Sequence, residues 1–208
     1  MRKTSRPFRA PGKVSHAFPW VAGLLLAQAS FAAPFPDDFV TAAFERTDHS
    51  ITYDGRYFAI AYPGGDIPAH LGVCTDVVIR SYRTIGADLQ TLVHEDMTAN
   101  FDAYPSKKLW GLTSTDSNID HRRVPNLQTF FARQGATLTI SEHGQDYAPG
   151  DLVTWMLPGN LPHIGIVSDK MSSSGNPLIV HNIGRGPVLD DVLFSYTITG
   201  HYRYDPYQ

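Results

Sequence analysis

Apolar residues recur at helical spacing through the first part of the chain. In Thr75–Ile85, the residues Val78, Ile79, Tyr82 and Ile85 are three or four positions apart and would share one helix face. The same spacing predicts three further helices, over Pro34–His49 (beginning after Asp37 or Asp38), Asp88–Asn100 and Pro125–Gln134. Between them the pattern predicts a hairpin turn at Asp54-Gly55 within Ile51–Tyr62, a loop over Pro63–Gly72, and irregular polar chain over Tyr104–Val124.

The pattern changes to short alternating runs after Gly135. These runs predict strands at residues 136–141, 151–157, 163–169, 177–183 and 192–204, separated by turn residues. Helices therefore come first and an antiparallel meander follows. This order predicts an α+β fold, with helices packed on one face of the sheet, in a single domain over residues 34–208.

The first 33 residues have the three parts of a secretory signal. Five basic residues and no acidic residue come first, the apolar run Ala17–Ala29 follows, and small residues close the segment. The alternative is an uncleaved membrane anchor. That run is shorter than the roughly 20 residues of a spanning helix, and Pro19 interrupts it. We therefore expect residues 1–33 to be cleaved and the protein to be exported, to the periplasm in the simplest case, with no stable membrane anchor afterwards.

Composition narrows the function classes. The chain has 17 basic and 20 acidic residues, and removal of residues 1–33 leaves 12 basic residues and a net charge of −8. Such a protein lacks the basic field of a nucleic-acid binder, so no nucleic-acid partner is expected. The hydrophobic fraction of 42% excludes wholesale disorder. One cysteine excludes an internal disulfide framework and a multi-thiolate zinc site, and we predict neither a metal nor a cofactor.

The single cysteine, Cys74, stands at the start of the strongest predicted helix. Unpaired N–H groups and the positive end of a helix dipole favour a thiolate, so this position predicts a lowered pKa and a nucleophile. The alternative is a small buried residue beneath a loop, and position alone does not choose between the two.

Two histidines lie on neighbouring predicted strands. If the loop Lys170–Asn176 closes a hairpin, residues whose numbers sum to about 346 face each other. His163 and His181 sum to 344, which places them opposite or one diagonal step apart. With Cys74 they would form a nucleophile, a base and an orienting group. Each histidine taken alone is also compatible with an ordinary hydrogen-bonded sheet residue.

Several motifs resemble the NlpC/p60 group of papain-like cell-wall peptidases. They are Cys74 at a helix start, Pro149-Gly150-Asp151-Leu152-Val153, His163-Ile164-Gly165-Ile166-Val167, the Ile-Val-His run ending at His181, and the approach Tyr62-Pro63-Gly64-Gly65. The runs GVCTDVVIR, NIDHRRVPNL and ITGHYRY resemble one branch, the domain-of-unknown-function 1287 family, over nearly the whole chain after residue 33.

The resemblance implies a papain-like fold and a Cys74–His163–His181 triad that cleaves an amide of peptidoglycan. The bond would lie in the stem peptide or between muramic acid and alanine. Cys74 would attack as a thiolate, His163 would hold the ion pair and protonate the leaving amine, and His181 would orient His163. Peptidoglycan or its stem peptides would be the partner.

Four further residues are candidates for substrate binding. Tyr62 belongs to the approach to the nucleophile. Asp76 stands where better-studied relatives carry a Cys-Ser-Gly run, and it would cap the helix or select a cationic group. Arg122 and Arg123 lie in a polar segment that is either a solvated loop or a wall pairing with stem-peptide carboxylates.

Two functions from different classes remain open at the level of sequence. The first is the thiol-dependent amidohydrolase. The second is a non-catalytic module of the same fold that binds the cell wall or a peptide. The presence of Cys74, His163 and His181 together favours the enzyme. The sequence leaves the scissile bond and the oligomeric state undetermined.

Overall fold

A computed structural model describes residues 35–208, which belong to one compact unit. The predicted signal peptide, residues 1–33, lies outside the described residues. Among the residues that are described, no helix has the length and apolarity needed to cross a membrane.

Five α-helices form the first part of the described chain, and four of them follow the predicted spacing. The helices are α1 (Asp37–Thr47), α2 (Cys74–Thr84), α3 (Leu89–Ala99), α4 (Ser106–Trp110) and α5 (Val124–Arg133). Helix α4 and the 3-10 turn Asp120–Arg122 lie in the segment predicted to be irregular. Both are too short to give a periodic pattern of their own.

Seven strands of the described chain form two sheets. The strands are β1 (Thr52–Tyr53), β2 (Leu71–Gly72), β3 (Leu152–Leu157), β4 (Leu161–Met171), β5 (Pro177–His181), β6 (Val188–Asp190) and β7 (Thr197–Tyr202). The five-stranded antiparallel sheet has the order β6-β5-β4-β3-β7. The predicted α+β class is therefore correct at this level.

The strand topology differs from the prediction in three places. Strand β7 does not extend the meander but crosses to the opposite edge and pairs with β3. Residues 136–141 make only one isolated bridge, Thr137 to Tyr202, and β6 occupies a stretch predicted to be a turn. Local alternation identifies an extended run but carries no information about its partner, which is why these features were missed.

The hairpin predicted at Asp54-Gly55 is also wrong. Strand β1 pairs in parallel with β2, which directly precedes α2. The Asp54 side chain is instead turned to Arg56, with Oδ2 accepting from Nη2 at 2.6 Å. This arrangement brings Tyr53 and Gly55 to the entrance of α2, where they line the same cleft as Cys74.

The two faces of the large sheet bury two separate apolar clusters. Leu152, Ile164, Ile166 and Val180 pack with the helices and with Cys74. The opposite face carries a second cluster, Tyr147, Val153, Trp155, Val167, Ile179 and Leu193. The nucleophile candidate therefore belongs to the helix side, and the alternation of β4 turns His163 toward the side of Trp155.

Candidate active site

The first turn of α2 holds Cys74 in place. Val73 precedes it in an extended conformation (φ −122°, ψ −170°) and its N–H donates to Oδ2 of Asp76 at 2.7 Å. An acid at this position satisfies an orphan donor and complements the helix dipole. Cys74 is buried, with 5% of its surface exposed.

Burial raises the pKa of the Cys74 thiol to about 11, and the nearby Asp76 carboxylate adds to this effect. Backbone N–H groups of Ile164, Thr75 and Cys74 face the sulfur and oppose this rise in pKa. The predicted lowering of this pKa is therefore wrong for the free protein. The helix start supplies the expected donors, but desolvation of a buried anion outweighs them.

His163 and His181 are in direct contact, as the strand arithmetic predicted. Gly165 pairs with His181 in the β4–β5 ladder, so His163 lies one diagonal step away. Nε2 of His163 is 2.9 Å from Nδ1 of His181, and the two rings meet edge to face with centroids 5.1 Å apart. This contact leaves Nδ1 of His163 as the nitrogen that does not face His181.

Gly165 makes this contact possible. A Cβ at this position would lie 2.6 Å from Cγ2 of Ile179 and 3.1 Å from Cβ of His181. Any side chain on Gly165 would therefore displace β5 or push His181 out of line with His163.

Burial holds the pKa of His163 well below its usual value, at about 3, and the neighbouring His181 adds to the effect. Burial also lowers the pKa of His181, while Asp190 opposes this. Nε2 of His181 lies 3.6 Å from Oδ2 of Asp190, which is an electrostatic contact beyond hydrogen-bond distance. Both imidazoles are therefore neutral near pH 7.

Cys74 adjoins the backbone of β4 on both sides of His163. The Ile164 N–H faces the sulfur, and Pro162 lines the same cleft as Cys74. Strand β5 ends at His181, so among the described residues β4 has no partner on that side before Gly165. The Cys74 sulfur therefore lies beside the backbone of β4 at Ile164, the residue that follows His163, where β5 no longer pairs with β4.

Trp155 closes the other side of His163. It stands opposite His163 in the β3–β4 ladder, with ring centroids 5.8 Å apart. Its indole Nε1 donates to the Leu193 carbonyl at 2.9 Å, which satisfies its polar atom in the core. The imidazole is thus packed against the rings of Trp155 and His181.

The predicted substrate contacts Asp76 and Arg122 are buried and bound to each other. Nε and Nη2 of Arg122 donate to the two carboxylate oxygens of Asp76 at 2.9 and 3.0 Å. The side chains of Arg122 and Asp76 are 2% and 3% exposed. This pairing leaves neither charge available for a substrate, contrary to the expectation from sequence. Of the two roles expected for Asp76, the structure shows the helix cap.

Arg122 also binds the backbone of the segment that follows β1. Its Nη1 donates to the carbonyl of Arg56 at 3.3 Å and its Nη2 to that of Asp54 at 3.4 Å. In return, the Thr75 hydroxyl donates to the Arg122 carbonyl at 3.1 Å. The ion pair thus links α2 to the segment that follows β1.

Arg123 is placed differently from Arg122. Its guanidinium donates to Asp120 at 2.9 Å and lies 4.5 Å from the ring centroid of Trp110, but a fifth of the side chain remains exposed. Arg123 and Trp110 both line the Cys74 cleft. Both arginines line this cleft, and Arg123 has the more exposed side chain, 21% against 2% for Arg122.

Tyr62 does not line this cleft, but Tyr53 does. Tyr62 is exposed and packs edge to face on His94 of α3, with centroids 4.9 Å apart. Burial raises the pKa of Tyr53 to about 12, and the neighbouring Cys74 and Asp76 contribute. The sequence gives no signal for Tyr53 because its position depends on the long-range pairing of β1 with β2.

The cleft in front of Cys74 has a volume of about 560 Å³. Tyr53, Trp110, Arg123 and Pro162 form its walls. It combines aromatic surface, a partly exposed cation and a thiol. Among residues 35–208, no group of three His, Cys, Asp or Glu side chains is arranged to hold a metal ion.

Comparison with known proteins supports the narrower of the two family resemblances seen in the sequence. A protein of Escherichia coli strain K12 named "Uncharacterized protein YijF" is 51% identical over 162 residues, which is 78% of each chain. Residues 40–204 match the family described as Domain of unknown function (DUF1287), a span that contains Cys74, His163 and His181. The chain therefore belongs to the DUF1287 family.

Proposed function

We propose that the protein is a thiol-dependent amidohydrolase of the bacterial envelope, with a papain-like arrangement, that cleaves an amide of peptidoglycan. The observation that carries this proposal is the contact of His163 on β4 with His181 on β5. His163 directly precedes Ile164, whose N–H faces the Cys74 sulfur. A nucleophile, a base and an orienting group are the parts required for acyl transfer.

The raised thiol pKa changes the expected mechanism. Since burial disfavours both the thiolate and the imidazolium, the resting pair is a neutral thiol and a neutral imidazole. In this proposal, Nδ1 of His163, the ring nitrogen that does not contact His181, takes the thiol proton as sulfur attacks the amide carbon. The same proton then goes to the leaving amine, and water hydrolyses the thioester. General acid–base help of this kind contributes about 10²- to 10⁴-fold in rate.

The backbone N–H groups at the sulfur supply a second catalytic element. Those of Cys74, Thr75 and Ile164 converge there, so a carbonyl carbon bound to sulfur would carry its oxygen close to them. One donor to a developing oxyanion contributes about 10²- to 10³-fold.

Substrate class is inferred from the resemblance and from the cleft. Arg123 is a partly exposed cation that suits the carboxylates of a stem peptide, and Trp110 offers an apolar wall. The predicted export of the chain would bring it to the compartment where peptidoglycan lies.

A digest of purified sacculi tests the proposal, with products identified by mass spectrometry. We expect the wild-type protein to release fragments and Cys74→Ala to release none. Ser81→Ala is the matched control, because it removes one buried side-chain heteroatom from the same helix and Ser81 bonds only the Val77 carbonyl. It should retain activity.

The non-catalytic alternative has one observation in its favour, the un-ionised buried thiol. If wild type and Cys74→Ala bind sacculi equally and neither releases fragments, the hydrolase proposal is wrong and the protein is a binding module.

A further inference from the structure

A second cavity lies beside α2, apart from the cleft in front of Cys74. It has a volume of about 290 Å³ and is bordered by the end of α1, residues 66–72, one face of α2 and the segment after β5. Its lining includes Arg46, Val77, Arg83 and Asn182 but not Cys74. The proposed hydrolase mechanism makes no use of this cavity.

Three buried donors of the cavity lining have neither a hydrogen-bond partner nor a salt-bridge contact among the described residues. They are Nε of Arg46, Nε of Arg83 and Nδ2 of Asn182. Asn182 is fully buried, and its Oδ1 already accepts from the Gly184 N–H at 3.0 Å. Buried donors are nearly always satisfied in native proteins, so three of them around one cavity indicate a ligand that accepts hydrogen bonds.

The charges of the lining favour an anion with a single charge. Arg46, Arg80 and Arg83 contribute three positive charges. Asp66 pairs with Arg80 at 2.9 Å and with Arg83 at 3.2 Å, and Asp88 lies 3.4 Å from Arg83, so two carboxylates compensate these two guanidinium groups. The other acid of the lining, Asp76, is neutralised by Arg122. Arg46 lies 3.8 Å from Glu45, which is more than half exposed, so its charge is the least compensated of the three. One such charge suits a monoanion better than a dianion such as phosphate.

The rest of the lining is apolar. Ile51, Val77 and Pro187 form part of it. At roughly 30 Å³ for a water-sized group, the cavity has room for about ten non-hydrogen atoms. From the donors, the charge and this apolar wall, we propose that the cavity binds a small monocarboxylate with a compact apolar body.

Titration of the full chain with butyrate, followed by nuclear magnetic resonance of the ¹⁵N-labelled protein, tests this proposal. We expect saturable shifts of the Asn182 side-chain amide and of the Val77 backbone amide. Arg46→Gln should weaken butyrate binding at least about tenfold, because it removes a charged donor. Arg46 is partly exposed at the end of α1, so this variant is expected to fold.

Two controls show whether the carboxylate and this cavity are both required. Lys108→Gln changes an exposed cation outside the cavity and should leave butyrate binding unchanged. Propylamine has the same three-carbon apolar body with an ammonium group in place of the carboxylate and should not bind. The proposal is overturned if butyrate produces no saturable shift, if Arg46→Gln binds as tightly as wild type, or if inorganic phosphate binds more tightly than butyrate. None of these readouts depends on amide hydrolysis, so this test stands apart from the sacculus digest.

Discussion

At the scale of single residues, burial decides the chemistry of Cys74. A thiol at a helix start receives backbone N–H groups, but the sulfur lies in the apolar cluster between α2 and the sheet. The free-energy cost of desolvating a thiolate there exceeds the stabilisation that these donors provide, so the pKa of the thiol rises. A buried neutral thiol is less prone to alkylation or oxidation than a thiolate.

Alkylation of Cys74 should therefore be slow near neutral pH and accelerate with alkalinity. With a thiol pKa of about 11, the iodoacetamide rate of the wild-type protein should rise close to tenfold per pH unit between about pH 7 and 9. Mass spectrometry of quenched samples gives the rate, and glutathione serves as the unburied reference. A rate that is already constant between about pH 5 and 7 would show a stabilised thiolate and contradict this assignment.

At the scale of elements, the β4–β5 ladder and the first turn of α2 are the two parts that build the site. The register places His163 diagonally from His181. Because β5 ends at His181, the N–H of Ile164 faces the Cys74 sulfur instead of a strand partner. The Asp76–Arg122 pair fixes the segment after β1 against α2. Each part has a residue whose change tests it.

Gly165→Ala should destabilise the protein and separate the histidine pair. The added methyl would meet Ile179 and His181 at 2.6 and 3.1 Å, so we expect a loss of about 1–3 kcal/mol in the free energy of unfolding. Urea unfolding measures the loss, and histidine ring resonances report the altered contact. Gly55→Ala is the control for stability, since its methyl would meet only Val73, at 3.8 Å. Equal stability of the two variants would refute the close packing at Gly165.

The buried ion pair should show strong coupling. Arg122→Met leaves the Asp76 charge buried without its partner and should cost about 3–5 kcal/mol. In the double variant with Asp76→Asn the loss should be smaller than the sum of the single losses, because no isolated charge remains. Urea unfolding of the four proteins measures the coupling. Arg56→Met removes an exposed partner of Asp54 and should change stability little. Additive losses would mean that the two side chains act independently.

At the scale of the whole molecule, burial of histidines links stability to pH. The pKa of His121 is lowered to about 4 and that of His163 to about 3, both chiefly by burial. An unfolded chain binds protons at these residues from about pH 6.5 downward, whereas the folded chain does not. The neutral forms therefore contribute stability that is complete above about pH 6.5 and is lost as the pH falls toward about 4.

The free energy of unfolding should decrease by up to about 1.4 kcal/mol per pH unit for each such histidine across this window. Urea unfolding at intervals between about pH 4.5 and 7.5 gives the slope. His121→Gln should reduce the slope, while His49→Gln, at an exposed position, should leave it unchanged. A flat profile for the wild-type protein would contradict the burial of neutral imidazoles.

Local sequence patterns were enough to predict several elements of this protein. The periodicity of Val78, Ile79 and Tyr82 is enough to locate α2, and alternation locates β3 to β5. The adjacency of His163 and His181 followed from the length of one hairpin loop, since pairing in a hairpin is fixed by its turn.

Features that depend on contacts between distant segments are visible only in the folded structure. The crossing of β7 to β3 and the parallel pairing that brings Tyr53 to the cleft have no local signal. The binding of Arg122 to Asp76 joins residues 46 positions apart and turns two expected substrate contacts into internal structure. The thiol pKa was misjudged for the same reason. The sequence predicts the helix start and its N–H donors. The desolvation that outweighs those donors arises only when the helix packs on the sheet.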